Sequence, residues 1–353
     1  MLLRNLTQLN FRNLSGRSLD FGPGLTVITG TNAAGKSNLL AACYLCLTGE
    51  LPFSRIASAV RHGQEEAFVS ARIEHSDGES QVQIGLGPGR RRIQLDGNVV
   101  RAEVLASVAA AVLITPEDAQ LVHGAPRERR AWLDSLLGRM SQRYARLLAE
   151  YQRVLQQRNA LLKHGGGATM DIWTDRFVLL GTEIESLRAR AAKRVAELAA
   201  EAYHEVSGPG TEAARRQLTM RLQSEGRGPL AEAVVQSSQE ERARGLTVVG
   251  PHRDDLVFEL AGTSAAEFGS RGEARTIALA LKVAEFRLLA ERHGEEPVLL
   301  LDDFAAELDE FRRGYLVAMA GSVSQALATA TDAPAELNAG DRLRVAAGSV
   351  TRG

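Results

Sequence analysis

Nine residues decide more about this chain than any others: Gly30-Thr31-Asn32-Ala33-Ala34-Gly35-Lys36-Ser37-Asn38, entered from the apolar run Leu25-Thr26-Val27-Ile28-Thr29. A glycine, four residues and then Gly-Lys-Ser is the strand–loop–helix pattern of a phosphate-binding P-loop. A buried strand has to aim such a loop. The phosphate then rests on the N-terminus of the next helix, where bare N–H groups and the helix dipole favour an anion. The N–H groups of residues 31 to 36 are expected to wrap a β-phosphate, Lys36 to neutralise β- and γ-oxygens, and the Ser37 hydroxyl to ligate Mg²⁺. Ala33 and Ala34 stand where many such loops carry glycine, and alanine is expected to fit there only with negative φ.

A second stretch, Val298-Leu299-Leu300-Leu301-Asp302-Asp303, is an apolar strand ending in two acids. P-loop proteins hold Mg²⁺ near such a strand end. Asp302 is assigned to the metal and Asp303 to orienting or deprotonating the attacking water. The two strands lie far apart in sequence, so a parallel core sheet with a helical insertion is needed to bring them together.

A third stretch, Phe268-Gly269-Ser270-Arg271-Gly272-Glu273, opens a long helical pattern upstream of the Asp-Asp strand. It resembles the signature motif of ABC-type ATPases. Ser270 and Gly272 at a helix start can form a second phosphate site, and Ser-x-Gly is also an ordinary N-cap. In the ABC arrangement this site caps the γ-phosphate held by another subunit, so ATP joins a dimer. Ala306-Glu307-Leu308-Asp309 falls where such proteins carry a D-loop. Thr331 falls where they place a switch residue, often His, and Thr115-Pro116-Glu117-Asp118 is the best Q-loop candidate.

Among the 353 residues, formal net charge is -1, so a DNA-binding surface has to be a local patch. Lys36, Lys163, Lys193 and Lys282 are the lysines, and the excess of arginine reads first as base composition. The two cysteines, Cys43 and Cys46, lack the further ligands a zinc site needs and are expected to be buried thiols. The N-terminus lacks a signal peptide's apolar region, and no apolar run reaches membrane-spanning length. A cytoplasmic location without a membrane partner is expected.

Strands are expected over residues 26–29, 67–74, 81–86, 109–115, 216–223, 246–249, 256–260, 298–301 and 326–329, with a hairpin turn at Asp96-Gly97. Helical periodicity runs from about 127 to 204, broken at Lys163-His164-Gly165-Gly166-Gly167, and helices are expected near 229–244 and 271–293. The expected fold class is α/β: an ABC-type ATPase lobe with mixed and parallel β-sheets, and a mainly helical second lobe. Its parts are residues 1–120, a helical insertion over 121–245, and 246–353.

The chain resembles the RecF family, ABC-type ATPases related to the SMC group. The resemblance rests on Gly30 to Asn38, on Thr115-Pro116-Glu117-Asp118 with Gly124-Ala125-Pro126-Arg127-Glu128-Arg129-Arg130, on Gly250-Pro251-His252-Arg253-Asp254-Asp255-Leu256, and on Leu299 to Asp309. The opening Phe11-Arg12-Asn13-Leu14 is also similar to the superfamily's start. It implies an ATP- and Mg²⁺-dependent homodimer that binds double-stranded or gapped DNA, hydrolyses ATP slowly, and acts with RecR, RecO and RecA at single-strand gaps. Arg127, Arg129, Arg130, Arg139, Arg143, Arg146, Arg153 and Arg158 on the helical insertion are a candidate DNA surface. The alternative is an ABC-type subunit of a transporter or other non-DNA complex. A guanine-reading Asn-Lys-x-Asp motif is absent, which speaks against a GTPase.

Overall fold

The computed structural model describes residues 1–52, 56–208, 210–224, 228–303, 308–331 and 340–352. The chain divides into two units: Met1–Asp118 with Ala202–Ala214 and Leu279–Gly353, and Ala119–Glu201 with Arg215–Ala278.

In the first unit, an antiparallel sheet has the order β2 (Ser18–Asp20), β1 (Leu2–Leu9), β4 (Ala67–His75), β5 (Gly78–Gly87), β6 (Arg90–Leu95) and β7 (Asn98–Val100). The other sheet runs β15 (Ser349–Arg352), β14 (Asp341–Ala346), β3 (Gly24–Thr29), β13 (Gln325–Ala330), β12 (Val298–Leu301) and β8 (Ala111–Ile114). Neighbours from β14 to β8 are parallel, so β3, β13 and β12 end on the same edge. That edge is where ligands bind in open α/β sheets.

The helix Lys36–Thr48 is apolar nearly all round, and Leu39, Leu40, Cys43 and Cys46 are buried with side chains of both sheets. A helix hydrophobic on all sides has to be covered on all sides. Both thiols are fully buried, and burial pushes both well above the usual thiol range. Buried Gln325 ties the sheets: its Oε1 accepts from the Leu3 amide at 2.7 Å, and its Nε2 donates to the carbonyls of Leu3 at 3.0 Å and Gly22 at 2.8 Å.

The second unit combines the helices Pro126–Met140, Gln142–Lys163 and Leu230–Arg244 and most of Met170–Ser207 with a small antiparallel sheet. That sheet is β11 (Thr263–Ser264), β10 (Asp255–Leu260) and β9 (Leu218–Gln223). The division differs from the expected boundary at 245/246, since residues 246–278 group with the helical unit. The cause is pairing. β10 is zipped to β9, and the Arg129 fork grips Asp255 through Nε at 2.7 Å and a terminal nitrogen at 2.8 Å.

The expected strand at 246–249 does not form. Two of its amides are satisfied by side chains instead. Thr247 N–H donates to Asn159 Oδ1 at 2.7 Å, and Val248 N–H to Glu241 Oε1 at 3.1 Å. Each buried amide needs an acceptor, and a fixed side chain serves as well as a neighbouring strand.

Glu185 gives this unit a pH dependence. Burial pushes its carboxyl up to about 7, Asp254 adds to that, and Arg188 opposes it. A raised native value means stability is lost as pH rises from the ordinary carboxylate range through about 7. Glu185→Gln should therefore match the wild type in melting midpoint at pH 4 and exceed it at pH 8. A pH-independent difference between the two would contradict the assignment.

Candidate nucleotide site

The loop Gly30 to Asn38 leaves the end of β3 and enters the Lys36–Thr48 helix. Gly30 has φ +155° and lies under β14, where a Cβ would come within 2.2 Å of the Val345 carbonyl oxygen, so no side chain fits. The Lys36 ammonium reaches back over the loop and donates to the carbonyls of Gly30 at 2.7 Å and Thr31 at 3.1 Å. The Ala34 amide turns inward to the Thr31 carbonyl at 3.2 Å.

One expectation fails at Ala33, which takes φ +62° rather than a negative value. A left-handed alanine costs about 1–2 kcal/mol. It is held there because Asn13 Nδ2 donates to the Ala33 and Ala34 carbonyls at 3.3 and 3.4 Å, and Gly348 N–H donates to the Ala34 carbonyl at 2.8 Å. Asn38 Nδ2 donates in turn to Asn13 Oδ1 at 2.7 Å, and Arg12 donates to Asn38 Oδ1 at 2.9 Å. The Phe11-Arg12-Asn13-Leu14 stretch thus braces the loop.

Asp302 and Asp303 follow β12. Ser37 Oγ donates to Asp302 Oδ1 at 2.9 Å. Thr329 Oγ1, on β13, donates to the same oxygen at 2.7 Å and accepts from the Asp303 N–H at 2.8 Å. The parallel register, Leu301 beside Ala328, places Thr329 next to Asp302. Thr331, the expected switch position, is exposed one residue past that strand, and the hydrogen bonds to Asp302 and Asp303 come from Thr329.

Asp303 adopts φ +43° and lines one cleft with Asn32, Ala33, Gly35, Lys36, Ser37 and Asn38. Burial pushes the Asp302 carboxyl up; Thr329 and Ser37 oppose that, and Glu117 and Asp303 add to it. A hydroxyl and carboxylates meeting beside a P-loop are hard oxygen donors of the kind that suits Mg²⁺.

Ser270 and Gly272 belong to the second unit. The start of the Arg271–His293 helix carries a capping box. Ser270 N–H donates to Glu273 Oε2 at 2.7 Å, and Glu273 N–H donates to Ser270 Oγ at 3.2 Å. These Ser270 contacts hold the Glu273 carboxyl below its usual range, and Arg216 pairs with its other oxygen at 2.6 Å. Ser270, Arg271 and Gly272 are exposed, and a Cβ on Gly272 would meet only Ser270 Oγ, at 3.9 Å. The fold itself does not require that glycine.

Of the D-loop candidate, Ala306 and Glu307 lie outside the described residues, and Asp309 caps the helix Glu310–Ser322 by accepting from Arg312 N–H at 2.9 Å. In the Q-loop candidate, Asp118 accepts from Thr115 N–H at 2.7 Å and pairs with Lys282 at 3.4 Å.

The expected arginine surface is not a single face. Arg129, Arg139 and Arg158 are buried. Arg129 serves Asp255, Arg158 serves Glu241, and Arg130 donates to the Asp254 carbonyl. Apart from exposed Arg253, the box Gly250 to Leu256 is likewise buried or half-buried. Gly250, at φ +116°, packs where a Cβ would lie 2.7 Å from Phe177. His252 Nδ1 accepts from the Tyr151 hydroxyl at 2.8 Å while its Nε2 faces the Thr247 carbonyl at 3.2 Å. Burial lowers that imidazole to about 4, so it stays neutral.

The profile of the RecF/RecN/SMC N terminal domain matches residues 2–347. A protein of Deinococcus deserti named DNA replication and repair protein RecF is 48% identical over 334 residues, covering 94% of this chain and 91% of that protein. The chain belongs to the RecF family. The Deinococcus radiodurans member is 46% identical, over 94% of this chain and 90% of its own length. A RecF solved with ATP superposes with a TM-score of 0.91 at 27% identity, covering 99% of this chain and 97% of that one. An Smc head bound to the C-terminal winged-helix domain of ScpA superposes at 0.58 and 18% identity, sharing the fold. RecF proteins are thus DNA replication and repair proteins on an ABC-type ATPase fold, and among the described residues no helix is long and apolar enough to cross a membrane.

Proposed function

We propose that this RecF-family chain is an ATP-driven DNA clamp of recombinational repair. The observation that carries the reading is the 2.9 Å hydrogen bond from Ser37 to Asp302, which joins the P-loop to the acidic strand end. Residues 30 to 38 bind the triphosphate, with Lys36 on the β- and γ-oxygens. Ser37 and Asp302 hold Mg²⁺, which when bound supplies positive charge against the phosphates. Asp303, in the same cleft, orients the attacking water and takes its proton. Thr329 keeps both acids in place through its two hydrogen bonds.

Ser270 and Gly272 of a second copy seal the γ-phosphate. The exposed hydroxyl and the spare room over Gly272 support that role. The same helix start is already capped by Glu273, so an incoming phosphate has to displace its carboxylate. The paired form binds double-stranded and gapped DNA, and hydrolysis releases it. RecR is the direct partner, with RecO and RecA in the same pathway. This rests on relatives described as recombination mediators of the RecFOR pathway, one of them solved with ATP. The site of action is the cytoplasm. Relatives named for DNA replication and repair displace the transporter alternative.

Sedimentation without nucleotide, with ADP and with ATP tests the clamp. Dimer is expected with ATP only, and equal monomer fractions in all three conditions would refute it. Ser270→Arg should hold the protein monomeric with ATP while leaving ATP affinity within about twofold, because the bulky cation blocks only the partner's phosphate. Normal pairing of this variant would remove Ser270 from the interface.

A further inference from the structure

The outer face of the antiparallel sheet in the first unit has a composition that its own packing does not explain. Strand register aligns Leu9, Phe68, Gly85 and Arg92 in one row across β1, β4, β5 and β6. The next row is Thr7, Ser70, Gln83 and Gln94, all polar and uncharged. Alternate residues such as Val69, Ile84 and Ile93 point into the core, so these rows face outward. Arg90 stands opposite Gly87 and shares the open face with Arg92.

Charge on this face is graded. At one end the acids are engaged: Glu74 with Arg4, Glu79 with Arg72, and Asp20 with Asn5. At the other end Arg90 and Arg92 are exposed, and their side chains form no ion pair or hydrogen bond with any described residue. Glu66 lines the same groove and offsets one positive charge. The floor between Phe68 and the arginines is bare backbone. A Cβ on Gly85 would meet nothing within 4 Å, and one on Gly87 would meet only the Glu66 side chain, at 3.6 Å. Neither glycine is demanded by the fold, and neither has the positive φ that would favour it.

We infer that this face is a platform for single-stranded DNA. Phe68 offers a ring for an unpaired base, the two glycines leave room for it to lie flat, and Arg90 and Arg92 hold the flanking phosphates. Sheet faces that bind single strands combine these elements: an aromatic stack, cations along the backbone and amide side chains at base edges. A duplex presents phosphates but no open base face, so Phe68 and the flat floor distinguish the two. The inference rests on the DNA-binding reading above and names which part of a gapped substrate this sheet takes.

The test uses the full chain with ATP and Mg²⁺ and follows fluorescence anisotropy of three labelled probes: oligothymidine, a blunt duplex, and a duplex with an oligothymidine tail. The wild type is expected to bind the tailed probe more tightly than the blunt one. The double variant Arg90→Ala/Arg92→Ala should remove that advantage, leave the blunt duplex unchanged, and reduce the salt slope for the tailed probe by about 1.4. Phe68→Ala should weaken oligothymidine about five- to a hundredfold, with Phe68→Trp restoring it. Equal weakening on blunt and tailed probes would make the arginines duplex contacts and overturn the inference. An unchanged tail advantage in the double variant would overturn it too. A wild type that binds the blunt duplex yet gains nothing from the tail sinks this inference alone. A wild type that binds none of the probes sinks the DNA-binding reading with it.

Discussion

Lys36→Ala is expected to lower affinity for Mg²⁺-ATP by about ten- to a hundredfold and to abolish any ATP-dependent binding of DNA. The side chain is buried, and its ammonium lies between the Gly30 and Thr31 carbonyls at the mouth of the loop. Hydrogen bonds to a charged partner contribute about 1.5–3 kcal/mol each, which converts to roughly that range of affinity. The variant also loses the tie that folds the loop over itself, so part of the loss is loop ordering. Calorimetric titration with ATP reads the affinity, and far-ultraviolet circular dichroism checks the fold. Retention of wild-type affinity in a folded variant would show that the phosphate lies elsewhere.

Glu241→Ala should destabilise the second unit by about 3–5 kcal/mol. Its carboxylate and the Arg158 guanidinium meet at 2.6 Å, with side chains only 1% and 2% exposed. The same guanidinium donates to Thr247 Oγ1 at 2.7 Å and lies 5.2 Å over the Phe177 ring. Removing the acid strands a buried cation and deprives the Val248 amide of its acceptor. Replacing both partners, as in Arg158→Met/Glu241→Leu, should recover most of the loss, since no unpaired charge remains and only the amide is left unsatisfied. Urea unfolding at neutral pH measures both variants. A loss below about 1 kcal/mol for the single variant would mean that water reaches Arg158.

The two motif groups differ in how they use their polar residues. Around the P-loop, polar side chains hold backbone in strained positions: Asn13 on Ala33, and Thr329 on Asp303. In the second unit, Arg129, Arg158 and Arg188 are spent on internal carboxylates. That leaves the Gly250 to Leu256 box as an interior joint linking the helices to β10, with Arg253 its exposed charge. Of the eight arginines in the candidate DNA surface, Arg129, Arg139 and Arg158 are buried, while Arg127, Arg143, Arg146 and Arg153 are exposed.

By itself the sequence determined the parts whose signal is local. Gly-x₄-Gly-Lys-Ser after an apolar run can aim a loop only from a buried strand, and an apolar tetrapeptide ending in two acids can lie only in the sheet core with its acids at the edge. Cys43 and Cys46 read correctly as buried because they sit on a helix with no polar face. Tertiary structure alone decided what depends on partners distant in the chain. Residues 246–249 have strand composition but no strand, and the side chains of Asn159 and Glu241 accept from the Thr247 and Val248 amides. Ala33 is left-handed because Asn13 and Gly348 grip the loop from far-off segments. Thr329 meets Asp302 because parallel register, which no local pattern encodes, sets the strands side by side.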